Sequence, residues 1–261
     1  MKGIGVFKIA SWNVNSLSVR LEQVLMWLQT TGTDVLALQE TKLTDDRFPR
    51  EAFQEAGFNV CFSGQKTYNG VAIVSRQPMI DVNYGIPGFD DEQRRVIAAT
   101  IGDIRVIDVY VPNGAAVGTD KYQYKLNWLR ALTGYLQQEL QRYPNIMMLG
   151  DFNIAPTDQD VHDPVFWEGS VLVSEPERKA LKTLFSLGLV DSFRVLYPEA
   201  IQYTWWDYRQ GRFRRNHGLR IDLILLSDAL HQRCVGCEVD VDPRKNERPS
   251  DHAPVWVELN F

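Results

Sequence analysis

Four apolar runs in this chain open or close on side chains that can hold a hard cation and act on a phosphate. Ile146-Met147-Met148-Leu149 leads into Gly150-Asp151-Phe152-Asn153, and Ser250-Asp251-His252-Ala253-Pro254 opens onto Val255-Trp256-Val257. Ser11-Trp12-Asn13-Val14-Asn15 and Leu38-Gln39-Glu40-Thr41 repeat the pattern in the first half. Each run reads as a strand, and a strand end is a rigid mount for a side chain that must keep its geometry. One such end says little. Four of them spread along the chain require a fold that brings distant strand ends together into one composite site.

The remaining pattern narrows that fold. Val6-Phe7-Lys8-Ile9-Ala10 and Val35-Leu36-Ala37-Leu38 read as strands, and Leu21, Val24, Leu25 and Leu28 give a helical stripe over Arg20 to Thr30 that Gly32 closes. Three strand-like runs follow one another between Val71 and Tyr110, which breaks a strict alternation of strand and helix. Leu129, Leu132, Leu136 and Leu140 line one face of a helix from Tyr122 to Arg142. Ser174-Glu175-Pro176-Glu177 is a capping box that opens another helix, running to Leu187. Ile221 to Leu226 and Val255-Trp256-Val257 are closing strands. Two sheets packed face to face with helices outside satisfy this order. No linker divides the chain, so 1–261 is expected to form a single domain.

Composition sets outer bounds. A formal charge of −5 excludes a generally basic coat but permits a local basic face. Three cysteines argue against a disulfide framework, and the Cys234/Cys237 pair lacks partners for a zinc set. No run is long enough to span a bilayer, and the first residues lack a secretory signal, so the expected setting is the reduced cytoplasm. Against the acidic whole, Tyr203 to Arg220 carries Arg209, Arg212, Arg214, Arg215 and Arg220 interleaved with Trp205, Trp206, Tyr208 and Phe213. Guanidinium groups contact phosphates and aromatic rings stack on bases, which makes this a candidate nucleic-acid face. Lys121, Tyr122 and Lys125 are candidates to extend it, as are Arg244, Lys245 and Arg248.

The motifs Trp12-Asn13-Val14-Asn15, Leu38-Gln39-Glu40-Thr41-Lys42, Tyr110-Val111-Pro112-Asn113, Gly150-Asp151-Phe152-Asn153-Ile154-Ala155-Pro156, Gly218-Leu219-Arg220-Ile221-Asp222 and Ser250-Asp251-His252-Ala253-Pro254 occur in that order across nearly the whole chain. In this set the chain resembles the bacterial exonuclease III family of DNA repair nucleases. The resemblance implies an α/β fold, a four-layer αββα sandwich of two packed mixed sheets. It also implies Mg²⁺ as cofactor, with Mn²⁺ able to substitute. The expected activity is 3′→5′ exodeoxyribonuclease with 3′-phosphatase and abasic-site endonuclease action, on double-stranded DNA with nicks, recessed 3′ ends or abasic sites, by a monomer. Alternatives are an enzyme that is mainly an abasic-site endonuclease with weak exonuclease, a phosphoesterase of the same fold acting on something other than DNA, or a DNA-binding module without catalysis.

By the same resemblance Glu40 is a metal ligand, with Asn15 and Asp251 as weaker or second ligands; Mg²⁺ takes few protein oxygens and keeps its waters. Asp151 handles the proton of the attacking water or of the leaving oxygen, and Asn153 binds phosphate or metal-bound water. Asp222 orients His252 and favours its charged form, which stabilises developing negative charge. Tyr110 donates to the phosphate, Asn13 braces the site and Asn113 contacts substrate. Trp205, Leu219 and Ile221 form an apolar pocket for a baseless sugar, and Arg212 and Arg215 bind the backbone. His162 lies on the loop after the Asp151 motif. It is either a barrier on the duplex side of the scissile phosphate or a loop imidazole hydrogen-bonded to Asp160 or Asp163. His217 and His231 read as surface residues, and the carboxylates at 40, 151, 222 and 251 are expected to crowd one another.

Overall fold

The structure is a computed structural model and describes residues 5–260. Its strands are β1 (Val6–Asn13), β2 (Val35–Gln39), β3 (Asn59–Ser63), β4 (Val71–Ser75), β5 (Ile80–Tyr84), β6 (Val96–Ile101), β7 (Ile104–Tyr110), β8 (Ile146–Asp151), β9 (Leu189–Asp191), β10 (Asp222–Ser227), β11 (Cys234–Val239) and β12 (Val255–Asn260). They form two six-stranded sheets, ordered β11-β12-β1-β2-β4-β3 and β5-β6-β7-β8-β10-β9. Both sheets are mixed: β1–β2 and β7–β8 are parallel and their neighbours antiparallel. The helices are α1 (Leu17–Thr31), α2 (Arg50–Glu55), α3 (Asp120–Arg142), α4 (Pro164–Trp167), α5 (Glu175–Ser186), α6 (Ser192–Leu196) and α7 (Asp228–His231). Among them, none is long and apolar enough to cross a membrane.

Side chains alternate across each strand, and the alternation assigns the layers. Ile9, Val35, Ala37, Ile73 and Val257 of the first sheet meet Ile97, Ala99, Val106, Met147, Leu149 and Ile224 of the second in one buried core. The opposite face of the first sheet, with Trp12, Leu36 and Leu38, is covered by Val24 and Leu28 of α1 and Phe53 of α2. The opposite face of the second, with Ile107 and Met148, is covered by Trp128, Leu132 and Leu136 of α3 and by Leu181 and Leu184 of α5. This is the αββα sandwich.

The helix signals hold in detail. Gly32 ends α1 at φ 64°, in the left-handed region that favours glycine. Thr119 caps α3 by accepting from Tyr122 N, and Ser174 and Glu177 cap α5 reciprocally. The short edge strands β3, β5, β9 and β11 and the short helices α2, α4, α6 and α7 carry too little periodicity to be read from the sequence.

One glycine ties the fold to the site. Gly150, just before Asp151, sits at φ 145° beside β7, and a Cβ there would lie 1.9 Å from the Val109 carbonyl oxygen. Both the conformation and the close approach demand glycine. Gly150→Ala should therefore prise β8 from β7 at the site end and lower the thermal midpoint by about 10 °C, from roughly 3 kcal/mol of strain and lost packing. Thermal melting followed by circular dichroism checks this; an unchanged midpoint would show that the ladder yields freely.

Candidate active site

The inner faces of the two sheets place their last residues at one end of the sandwich. On β1, Ile9, Ser11 and Asn13 share the inner face, and on β7, Asp108 and Tyr110 do. The ladders then set the spacing: Tyr110 lies opposite Asp151, and Asp151 opposite Asp222. Glu40 follows β2 at φ 52°, and Asn15, Lys42 and Asn153 also take left-handed conformations. Such concentration of costly backbone around one place is typical of functional sites.

Asn13 is the hub. Its Nδ2 donates to Glu40 Oε1 at 2.9 Å and to Asp151 Oδ2 at 2.9 Å, while its Oδ1 accepts from Asn15 N. Tyr110 Oη donates to Glu40 Oε1 at 2.9 Å. Glu40 Oε2 pairs with Lys42 at 2.9 Å. Burial alone would raise the Glu40 pKa, but Lys42 and the Asn13 bond outweigh it and hold the carboxyl below its ordinary value. Lys42 also donates to Asn15 Oδ1, and Asn15 donates to Asp251 Oδ1 at 2.9 Å. Trp205 Nε1 holds the other Asp251 oxygen at 3.0 Å.

From the segment before β12 of the first sheet, His252 reaches the second: its Nδ1 meets Asp222 Oδ2 at 2.9 Å and its Nε2 faces Asp151 Oδ2 at 3.7 Å. Burial opposes the charged ring, but Asp222 and then Asp151 override it and raise its pKa to about 10. Asp151 is raised to about 7. Burial dominates, and Asp222 pushes the same way against the lowering effect of His252. Of the four carboxylates expected to crowd one another, Asp151 and Asp222 do so, with Asp222 raising Asp151. Glu40, Asp222 and Asp251 each have cationic or amide donors of their own. Asn153 N and Nδ2 both reach Asp151, and Asn113 donates to Asn153 Oδ1.

Candidate ligand atoms of Glu40, Asp151 and His252 lie within 4.8 Å of one another. His252 is a poor ligand, since a ring held charged by two carboxylates has no lone pair to offer. The carboxylates and the surrounding amide oxygens form a hard oxygen set that fits a small divalent cation.

A second group of segments surrounds this centre, laced by backbone bonds. His162 N donates to Gly218 O, Trp205 and Leu219 exchange bonds, and Ala253 N donates to Thr204 O. Trp205, Leu219 and Ile221 thereby join one apolar cluster with Val161. Arg212 is half-buried beside it and Arg215 is exposed. His162 bonds to neither Asp160 nor Asp163. It stacks on His217, with ring centroids 4.8 Å apart, and its Nε2 lies 3.3 Å from Arg212 Nη1. His217 is therefore part of this wall rather than plain surface. Sequence reading passed over it because a stacked pair 55 positions apart leaves no local pattern.

Four other candidates prove structural. Arg220 is buried and held by Asp160 and, bidentately, by Asp191, so it has no face for DNA. Lys125 is buried against Glu177 and the carbonyls of Asn113 and Asn153, and Tyr122 bonds Ser174. Arg244 is buried beneath Phe213 and donates to Ser250 O. In each case a long cationic or phenolic side chain found internal acceptors that the sequence does not announce.

A model of the Endonuclease/Exonuclease/phosphatase family matches residues 10–252. The chain belongs to this family. It is 36% identical over 265 residues to the exodeoxyribonuclease III of Haemophilus influenzae, covering 97% of this chain and 99% of that protein. Its structure is similar to a 3′ phosphatase from Neisseria bound to a product DNA hairpin, with TM-score 0.97 and 49% identity over 98% of this chain and 100% of that one. An AP endonuclease from Archaeoglobus fulgidus matches with TM-score 0.95 and 41% identity at the same coverage. Family membership makes the chain a nuclease of a metal-dependent family, and acidic residues of the strand-end cluster could bind a metal.

The charge of Asp151 costs stability where it sits. Its raised pKa means that the fold favours the neutral form. That stability is fully present below the unfolded value and is lost as pH rises through about 7. Asp151→Asn should thus lower turnover by roughly a thousandfold or more. In cation-free buffer at pH 8 it should raise the thermal midpoint by about 3 °C or more, a gain that vanishes toward pH 4. Paired melting curves and rate assays test this; a midpoint lowered at pH 8 would contradict it.

Proposed function

We propose that the protein is a Mg²⁺-dependent 3′→5′ exodeoxyribonuclease of DNA repair. It also removes 3′-terminal phosphates, and it acts as a cytoplasmic monomer on nicked or recessed duplex DNA. The observation that carries this reading is the triangle of Asn13, Glu40 and Asp151, with the Asp222–His252 pair beside it. It supports a reading in which a cation-holding carboxylate, a proton-handling carboxyl and a positive charge act within one small site.

Glu40 would hold the cation, with Asn15 and Asp251 at the adjoining position. The cation supplies charge neutralisation on the phosphoryl oxygens. Asp151, with a pKa near neutrality, is suited to position and deprotonate water or to return a proton to the leaving oxygen. His252 presents a charged Nε2 edge toward the same space and stabilises the oxyanion. Tyr110 stays protonated, since burial and then Glu40 push its pKa well up, and it serves as a hydroxyl donor. Asn153 and Asn113 present amides to the phosphate, and Arg212 and Arg215 supply backbone contacts. In the apolar group Leu219 and Ile221 are fully buried, so the half-buried Trp205 is the member that can meet a sugar without its base.

Access to that group is where the balance of activities is set. In this reading His162, held by His217 and Arg212, stands on the duplex side of the site and restricts internal abasic-site cleavage while terminal groups enter freely. The test compares wild type and His162→Gly on three matched duplexes: a recessed end, a 3′-phosphate nick and an abasic site. Wild type should process both 3′ ends faster than the abasic site, and the variant should raise the relative abasic rate by about tenfold or more. An unchanged ratio would leave His162 a structural residue, and no hydrolysis of any of the three would overturn the DNA reading.

A further inference from the structure

One step below the catalytic triangle lies a second polar layer. Ser11 is two residues before Asn13 and Asp108 two before Tyr110, on the same inner faces, and Gln39 directly precedes Glu40. All three are buried in the core between the sheets. Gln39 Nε2 donates to Asp108 Oδ1 at 2.7 Å, crossing from the first sheet to the second, and to Ser11 Oγ at 3.1 Å. Ser11 Oγ returns toward Gln39 Oε1 at 3.4 Å. The other Asp108 oxygen is buried without a hydrogen-bond partner. An acid in an apolar core is costly, and Leu149 opposite Asp108 on β8 shows what the position would ordinarily hold.

We propose that Asp108 is a positioning residue for the reaction. Through Gln39 it locks the site end of β7 to that of β2, and so sets the distance between Tyr110 and Glu40. The inference rests on the reading of Glu40 and Tyr110 as parts of the catalytic site. No cation pairs with Asp108, and burial pushes its carboxyl well above the ordinary carboxylate range. Its part is to accept the bond from Gln39. Tyr110 and Glu40 meet through a single 2.9 Å bond, and they come from different sheets. Sliding of one sheet against the other would stretch that bond. The Gln39–Asp108 bond resists the slide without touching substrate or cation.

The test uses Asp108→Leu, Asp108→Asn and Gln39→Met in the full chain, with Glu40→Ala as a control. The readouts are kcat and KM on a recessed-end duplex in Mg²⁺, and folding by circular dichroism. Asp108→Leu and Gln39→Met should lose kcat by about 10- to 100-fold while KM stays within about threefold of wild type. Asp108→Asn keeps the shape and the bond, and should stay within about threefold of wild type in both. Combining Asp108→Leu with Gln39→Met should cost little more than the worse single change, since both remove the same Gln39–Asp108 bond.

Wild-type kcat in folded Asp108→Leu, or in Gln39→Met where the first does not fold, overturns the proposal. So does an Asp108→Asn variant as impaired as Asp108→Leu, because the acid itself would then be needed. Failure of both single variants to fold makes the layer purely structural and also overturns it. An active Glu40→Ala defeats the reading of the site. An inactive Glu40→Ala beside active Asp108 and Gln39 variants defeats the positioning role alone.

Discussion

The molecule depends on one amide. Asn13 donates through Nδ2 to a carboxylate of each sheet, Glu40 and Asp151, both at 2.9 Å. Two sheets packed through apolar side chains are free to settle over a range of offsets, because apolar contact is not directional. An amide that gives one hydrogen to each of two acceptors is directional, and leaving a buried acceptor such as Asp151 unmet costs about 1–3 kcal/mol. The amide fixes the end of the sandwich, and the same bonds bring two acids together that would otherwise repel. Structure and chemistry share this point, which explains why costly backbone conformations and a shifted carboxyl pKa gather around it.

Burial does the remaining electrostatic work by unequal distribution. Asp222 is matched by His252, Glu40 by Lys42, and Asp251 by Asn15 and Trp205. Asp151 is left with neutral amides and a distant imidazole edge, so its charge is the least supported. A carboxyl poised near neutrality follows from that asymmetry. Further out, the Asp160–Arg220–Asp191 network is fully internal. It stiffens the loop that carries His162 against the strand that carries Asp222.

The sequence displayed the centre well and the margins poorly. Asn13, Glu40, Tyr110, Asp151 and Asp222 were legible because each stands at the end of an apolar run, and strand ends of two facing sheets converge. The sandwich followed from consecutive strands flanked by amphipathic helices. Arg220, Lys125 and Arg244 misled because a cation in a polar stretch looks solvated until its internal acceptors are known. His217 was hidden for the opposite reason, since its stacking partner lies on a different loop. Asp108 drew no reading from the sequence, because an acid within a strand does not announce a partner such as Gln39 on the facing sheet.

The central claim is that a cation-holding carboxylate at the end of β2 drives phosphodiester hydrolysis of DNA. It is tested most directly by following nucleotide release from a recessed-end duplex by wild type and Glu40→Ala, each with Mg²⁺ and with chelator. The account predicts release by wild type in Mg²⁺ alone. It predicts a rate at least about a thousandfold lower for Glu40→Ala, with a wild-type circular dichroism spectrum. Release by the folded variant within about tenfold of wild type, or undiminished wild-type release in chelator, would contradict it.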